Sequence, residues 1–413
     1  MLGRERKGGT IMYAIFVSKI ISDPEETPLE DGVILVDGEQ IVEINQRTHV
    51  SLPARCKKIR LIGATALPGL IDGHAHASAD IHAGSLQEQY ATGVIDPTLR
   101  AVRNLRRALY SGVTTMRLLG ERYGLLEVAL RNAATQNAII APDLVVSGQP
   151  LRPRHGTAAF MARPADTPDE LLTAVRDQYH LGADWIKIFA TNRQKGHTYL
   201  AYLMGDLTEE PGYTYEQMRT IVVEAQYLHM EVAAHAIGGP AVEWAIKAGV
   251  RSIEHGNLLS EQDIDLLLHQ GAFLSDPNLQ LFFDTETGFS VMPTWQFQWW
   301  RNKVLKAQEN TRMVMQSCLQ KGVKVVLGTD SIPGSLPREV IHLVKTLGWP
   351  ITKALCTVTK WAAEMLKMEN YLGTLAPGKY ANILIVKGDP LVDISALLTP
   401  VIIVKRSMLY KTD

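Results

Sequence analysis

The sequence predicts an α/β protein: a (β/α)8 TIM-like barrel beside a small β-sandwich that both chain ends build. Three observations lead there. Eight short apolar runs alternate with amphipathic helical stretches between residues 67 and 372. The segments before and after that span, 1–66 and 373–413, read as β texture alone. Metal-ligating residue types stand where the apolar runs end, which is the end of barrel strands that carries chemistry.

From the start of the chain, the polar leader Leu2–Thr10 is expected to be disordered, with Met12 as an alternative start. The run Met12 to Val17 is too short for a secretory core and reads as a strand. Val33 to Ile44 holds two apolar runs around Asp37-Gly38, a strong hairpin signal. The eight barrel runs follow: Ala66–Ile71, Val113–Leu118, Leu144–Ser147 and Trp185–Phe189, then Glu231–His235, Val250–Ile253, Ala272–Ser275 and Val323–Gly328. Strand-helix alternation predicts a parallel sheet, and eight units in one span fit a closed barrel. From Gly373 on, Ala381–Val386 and Val401–Val404 return to β texture, and pairing them with the first strands completes the sandwich.

Composition narrows the function classes. The chain has 413 residues, 46% hydrophobic and 21% charged, with a formal net charge of -1. That is ordinary for a globular enzyme and supplies no field for nucleic acid or an anionic membrane. No apolar stretch reaches the length of a membrane span. Cys56, Cys318 and Cys356 are scattered, which argues against a thiolate site or disulfide framework and fits a reducing cytoplasmic setting.

Two imidazoles, His74 and His76, close the first run in Asp72-Gly-His-Ala-His76. Residues two apart on an extended segment face the same side, so both rings can reach one ion. Four more candidates end later runs: Lys187, His235, His255 and Asp330. Imidazole and carboxylate suit zinc and similar divalent ions. In a closed barrel the eighth strand adjoins the first, so His74, His76 and Asp330 can hold one ion. Adjacent strands bring His235 and His255 to a second. An ammonium at Lys187 would be repelled there, but its carbamate would bridge two metals as a carboxylate does. A single His at a strand end is more often structural, Asp330 could cap a turn, and Lys187 could be a buried lysine paired with a carboxylate. Six such residues at one end of one barrel are better explained as a site.

The segments Pro68-Gly-Leu-Ile-Asp-Gly-His-Ala-His76, Gly182-Ala-Asp-Trp-Ile-Lys187, Val232-Ala-Ala-His235, Ser252-Ile-Glu-His255-Gly, Gly328-Thr-Asp330 and Gly373-Thr-Leu-Ala-Pro-Gly resemble the amidohydrolase superfamily. The lysine context is similar to its imidazolonepropionase-related branch, which includes Xaa-Pro dipeptidases, carboxypeptidases and amidases of foreign amides. The resemblance spans nearly the whole chain. It implies a distorted barrel with a side sandwich, a carboxylated Lys187 and two divalent metal ions. It also implies substrate contacts at His155, in Arg152-Pro-Arg-His-Gly, and at Tyr213, with Tyr215 an alternative two residues on. Arg152 and Arg154 depart from the family, where small residues are usual. They either hold a substrate carboxylate or are solvated loop arginines.

Hydroxide between two ions attacks a carbonyl at neutral pH, and Asp330 would shuttle the proton from water to the leaving nitrogen. The expected activity is hydrolysis of a C–N amide bond, foremost in a dipeptide or N-acyl amino acid. The alternatives are an amidase or urea-type hydrolase of a neutral aromatic or xenobiotic amide, a cyclic-amide hydrolase, or a catalytically silent scaffold. The segment Asp276 to Asn302 carries Phe282, Phe283, Phe289, Trp295, Phe297, Trp299 and Trp300, and is expected to wall the pocket rather than form a subunit contact. A homo-oligomer is expected, with no nucleic-acid or membrane partner.

Overall fold

The computed structural model describes residues 12–54 and 56–412, and the leader Leu2–Thr10 lies outside them. By contacts the chain divides into two units. One comprises residues up to Ile71 together with Ile351 onward, and the other is Asp72–Pro350.

In the first unit the chain ends share one seven-stranded sheet. Met12–Ile20 pairs antiparallel with Leu29–Asp37 and parallel with Lys57–Pro68, while Ile383–Lys387 pairs antiparallel with Lys57–Pro68. The hairpin expected around Asp37-Gly38 is present, with Asp37 opposite Gln40. Ile15, Val17, Ile34 and Val36 from the N-terminal side pack with Ile383, Ile385, Ile402 and Val404 from the C-terminal side. This shared core is why neither end suffices alone.

The barrel strands are β1 (Leu70–Ala75), β2 (Val113–Leu118), β3 (Asp143–Val146), β4 (Trp185–Phe189), β5 (Glu231–Gly238), β6 (Ser252–Leu258), β7 (Phe273–Ser275) and β8 (Val325–Val326). β4 through β8 pair in parallel in chain order, and β1, β2 and β3 form a second set. Two joints close the ring. Asp184 donates its main-chain N–H to the Val146 carbonyl at 2.7 Å, and Thr329 and Asp330 donate theirs to the His74 carbonyl at 2.9 Å. Gly328 permits the second joint, because a Cβ there would fall 2.7 Å from the His74 Cβ and carbonyl oxygen. Most strand residues are buried on both faces, which explains the unbroken apolar runs.

The intervening helices carry ordinary start and stop chemistry. Pro168–Leu181 opens on a capping box of Thr167 and Glu170 and ends at Gly182 with φ +93°. It buries Leu171, Ala174, Val175 and Gln178, a stripe at helical spacing. Among the described residues no helix is long and apolar enough to cross a membrane. The three cysteines are free.

Candidate active site

The barrel strands deliver His74 and His76 from β1, Lys187 from β4, His235 from β5 and His255 from β6, with Asp330 just beyond β8. His74 Nε2 lies 3.4 Å from His76 Nε2, and His76 Nε2 lies 3.8 Å from Asp330 Oδ1. The His255 ring centroid is 4.9 Å from that of His74 and 4.8 Å from that of His235. Five of the six, all but His74, line one cavity.

The imidazole rings are held by partners outside the cluster of six. His74 Nδ1 meets Glu254 Oε2 at 2.9 Å, His76 Nδ1 meets the Gly120 carbonyl at 2.8 Å, and His235 Nε2 meets the Asn192 amide at 2.9 Å. Asp72 ties the two joined strand ends by accepting from the main-chain N–H groups of His74 and Thr329 and from the Thr329 hydroxyl.

Burial sets the protonation of this cluster. It holds the His74 and His235 imidazoles well below their usual range, lowers His76, and brings His255 down to about 3. All four rings are therefore neutral at physiological pH, the form that ligates metal. The Lys187 amine falls to about 8, again chiefly through burial. Three carboxylates surround these rings: Glu254, Asp276 and Asp330. Neutral nitrogen donors with clustered carboxylates are the donor set of a divalent cation site, and His74, His76 and Asp330 have ligand atoms close enough to share one ion. The residues present fit the metal that the sequence implied.

Several determinants escape the sequence patterns. Arg117 of β2 is wholly buried, donating to Glu254, Ser252, Ser275 and the Gly73 carbonyl beneath the site. Its signal was a lone charge inside a buried strand. Glu254 and Asp276 were visible only as acids at the ends of apolar runs. Five residues at this end, Asn192, His255, Asp276, Asn278 and Asp330, have φ between +47° and +74°. Asn, Asp and His tolerate that left-handed region best among residues with a Cβ.

The cavity wall is mostly aromatic and aliphatic. Tyr90, Phe160, Tyr199 and Tyr202 line one part, and Phe282, Phe289 and Trp300 come from the segment after β7. That segment is structured rather than a long loop. It holds the helix Leu279–Phe283, two short 3-10 turns and the start of the helix Gln298–Lys321. Phe289 packs edge-on against Trp300 and Phe282. Trp295, Phe297 and Trp299 are not among the lining residues.

The four residues proposed from sequence for substrate contact do not line the cavity. The Arg152 side chain is spent on the carbonyls of Ala162, Pro153, Arg154 and Gly156. Arg154 is exposed and paired with Asp166 and Glu170, and His155 is exposed. Tyr213 is buried, with its hydroxyl donating to the Ala165 carbonyl. In this loop Leu151 and Arg152 pair in parallel with Arg163 and Pro164.

Over residues 65–408 the sequence matches the amidohydrolase family. The chain belongs to the amidohydrolase family. This amidohydrolase is a hydrolytic enzyme acting on C–N bonds. It is 26% identical to an ochratoxinase of Aspergillus niger, an alignment covering 95% of this chain and 84% of that protein. It is 24% identical to an imidazolonepropionase of Streptomyces avermitilis, covering 86% and 80% respectively. A solved Xaa-Pro dipeptidase with bound methionine superimposes with a TM-score of 0.83 at 27% identity, covering 97% of this chain and all of that one.

Proposed function

We propose that this amidohydrolase cleaves a C–N amide bond in a small molecule with a bulky aromatic or apolar part, using two divalent cations, most simply Zn2+. His74, His76, Lys187 as its carbamate, His235, His255 and Asp330 would hold them. One observation carries the reading: five of these six side chains line one cavity, with the imidazoles neutral and His74 beside them, and the rest of the wall is mostly aromatic and aliphatic. When bound, the cations acidify water and polarise the scissile carbonyl.

The chain's own residues do the rest. Asp330, in the cavity lining, has one carboxylate oxygen held by the Ser331 hydroxyl at 2.8 Å. It takes a proton from the attacking water and returns it to the leaving nitrogen. Lys187, with its pKa near 8, keeps a usable neutral fraction of the amine. That amine adds to carbon dioxide, forming an N–C bond and releasing one proton to leave a carbamate anion. The aromatic wall excludes water and orients the apolar part of the substrate.

A dipeptide or N-acyl amino acid is the second reading, favoured by the likeness to an Xaa-Pro dipeptidase. Against it, Lys187 is the one Lys or Arg in the cavity lining, so a free carboxylate has no guanidinium there. The test is elemental mass analysis of metal per chain, followed by turnover of aromatic acyl amides and of Xaa-Pro dipeptides. Two ions per chain and preference for aromatic amides support the proposal. One ion, or preference for small dipeptides, overturns its binuclear or its substrate half.

A further inference from the structure

Asp276 follows β7 and is completely buried, yet neither carboxylate oxygen has a hydrogen-bond partner among the described residues. Its Oδ2 lies 3.5 Å from His74 Nδ1 and 3.8 Å from His255 Nδ1. Its own carbonyl is 3.2 Å from the same His255 atom, and the Asn278 amide completes that edge at 2.9 Å. The main chain is fixed by the Asp276 N–H, which donates to the Val326 carbonyl at 2.8 Å. Arg117, the nearest guanidinium of this layer, hydrogen-bonds Glu254 instead.

A buried carboxylate without donors is expensive. Asparagine would fill the same volume and accept the same φ of +47° without the charge. A carboxyl group at this position therefore serves something other than packing. The Nδ1 edge of His74 is already held by Glu254 at 2.9 Å and that of His255 by the Asn278 amide, so the Asp276 carboxylate is left for a positive charge.

We infer that Asp276 belongs to the cation centre, seated beside His74 and His255 so that its unpartnered carboxylate supplies negative charge to the cation those rings hold. The inference rests on the reading of the site as a cation centre. His74, His255 and Asp276 have ligand atoms close enough to share one ion, beside the set of His74, His76 and Asp330.

The experiment is Zn2+ affinity by competition with a chelating dye, paired with thermal melts of the metal-free protein, for the wild type and Asp276→Asn. Binding should weaken by about 10–100-fold. The metal-free variant should melt above the wild type, because a buried carboxyl group without hydrogen-bond donors is gone. Loss of affinity with gain of stability is a pairing that a structural role does not produce. Unchanged Zn2+ affinity, or a metal-free variant that melts lower, overturns the inference. Asp276→Gly, which also suits the backbone, repeats the test if the first variant does not fold. A wild type that binds no Zn2+ would overturn the cation-centre reading itself, and the inference with it.

Discussion

Replacing Arg117 by methionine should destabilise the barrel severely, and the structure sets the size of the effect. The guanidinium donates to Glu254 Oε1 at 2.9 Å and Oε2 at 3.1 Å, to Ser252 Oγ at 3.0 Å, and to Ser275 Oγ at 3.2 Å. It also donates to the Gly73 carbonyl at 2.5 Å and lies 4.6 Å from the Trp185 ring centre. Both members of the pair are fully buried, so solvent screening does not discount it. Methionine keeps the length and apolar stem but leaves Glu254 as an uncompensated buried charge. Breaking such a pair from one side costs about 3–5 kcal/mol. In a domain of this size that corresponds to a fall in Tm of about 6–20 °C. The assay is thermal denaturation followed by circular dichroism, with Arg117→Met/Glu254→Leu as the control. Removing both partners should restore much of the loss, since a buried pair is often replaceable by packing. A single variant that melts like the wild type, or a double variant no better than the single one, would refute the reasoning.

Three further outcomes are expected. Asp330→Asn should keep its metal complement but lose about 10²–10⁴-fold in kcat, and an active variant would remove the proton shuttle. Arg152→Ala and Arg154→Ala should leave KM unchanged for carboxylated and neutral amides alike; a rise confined to carboxylated substrates would return them to the pocket. Glu339 is buried, with Oε1 taking the Gln280 N–H and its pKa raised to about 8 by burial. A carboxyl raised in the folded state stabilises below its unfolded value near 4.5, and that contribution is lost as pH rises toward 8. Glu339→Gln should thus gain on the order of 4 kcal/mol over the wild type at pH 8 and nothing near pH 4. A pH-independent difference in urea melts would show that the group titrates normally.

The barrel was legible because its strands are buried on both faces and read as continuous apolar runs, with chemistry-bearing residues at one consistent end. The pairing of the chain ends was legible for the same reason, since Ile383–Lys387 is as apolar as the strand it joins. Arg117, Glu254 and Asp276 were not. Periodicity gives a face but not which acid stands behind which imidazole, and that depends on register across four strands. The loop after β3 is a different case. Arg152 and Arg154 were expected at the mouth from their position alone, but Asp166 and Glu170, close in sequence, offered Arg154 nearer partners. The aromatic segment was legible in composition but not in conformation. Its helix Leu279–Phe283 turns Phe282 inward, while the short turns that follow carry Trp295 elsewhere.

The features that cost stability are concentrated at the site's end of the barrel and share one remedy. Left-handed backbone at His255, Asp276 and Asp330, imidazoles held neutral by burial, and a carboxylate without donors are each unfavourable in isolation. None relieves another: a bent main chain does not solvate Asp276, and a neutral ring does not compensate its charge. The Arg117–Glu254 pair, one layer below, is the counterexample, because there each buried charge has its partner. Lys187 is the one basic side chain lining the cavity beside these groups. A divalent cation between the neutral nitrogens would offset all of these costs at once.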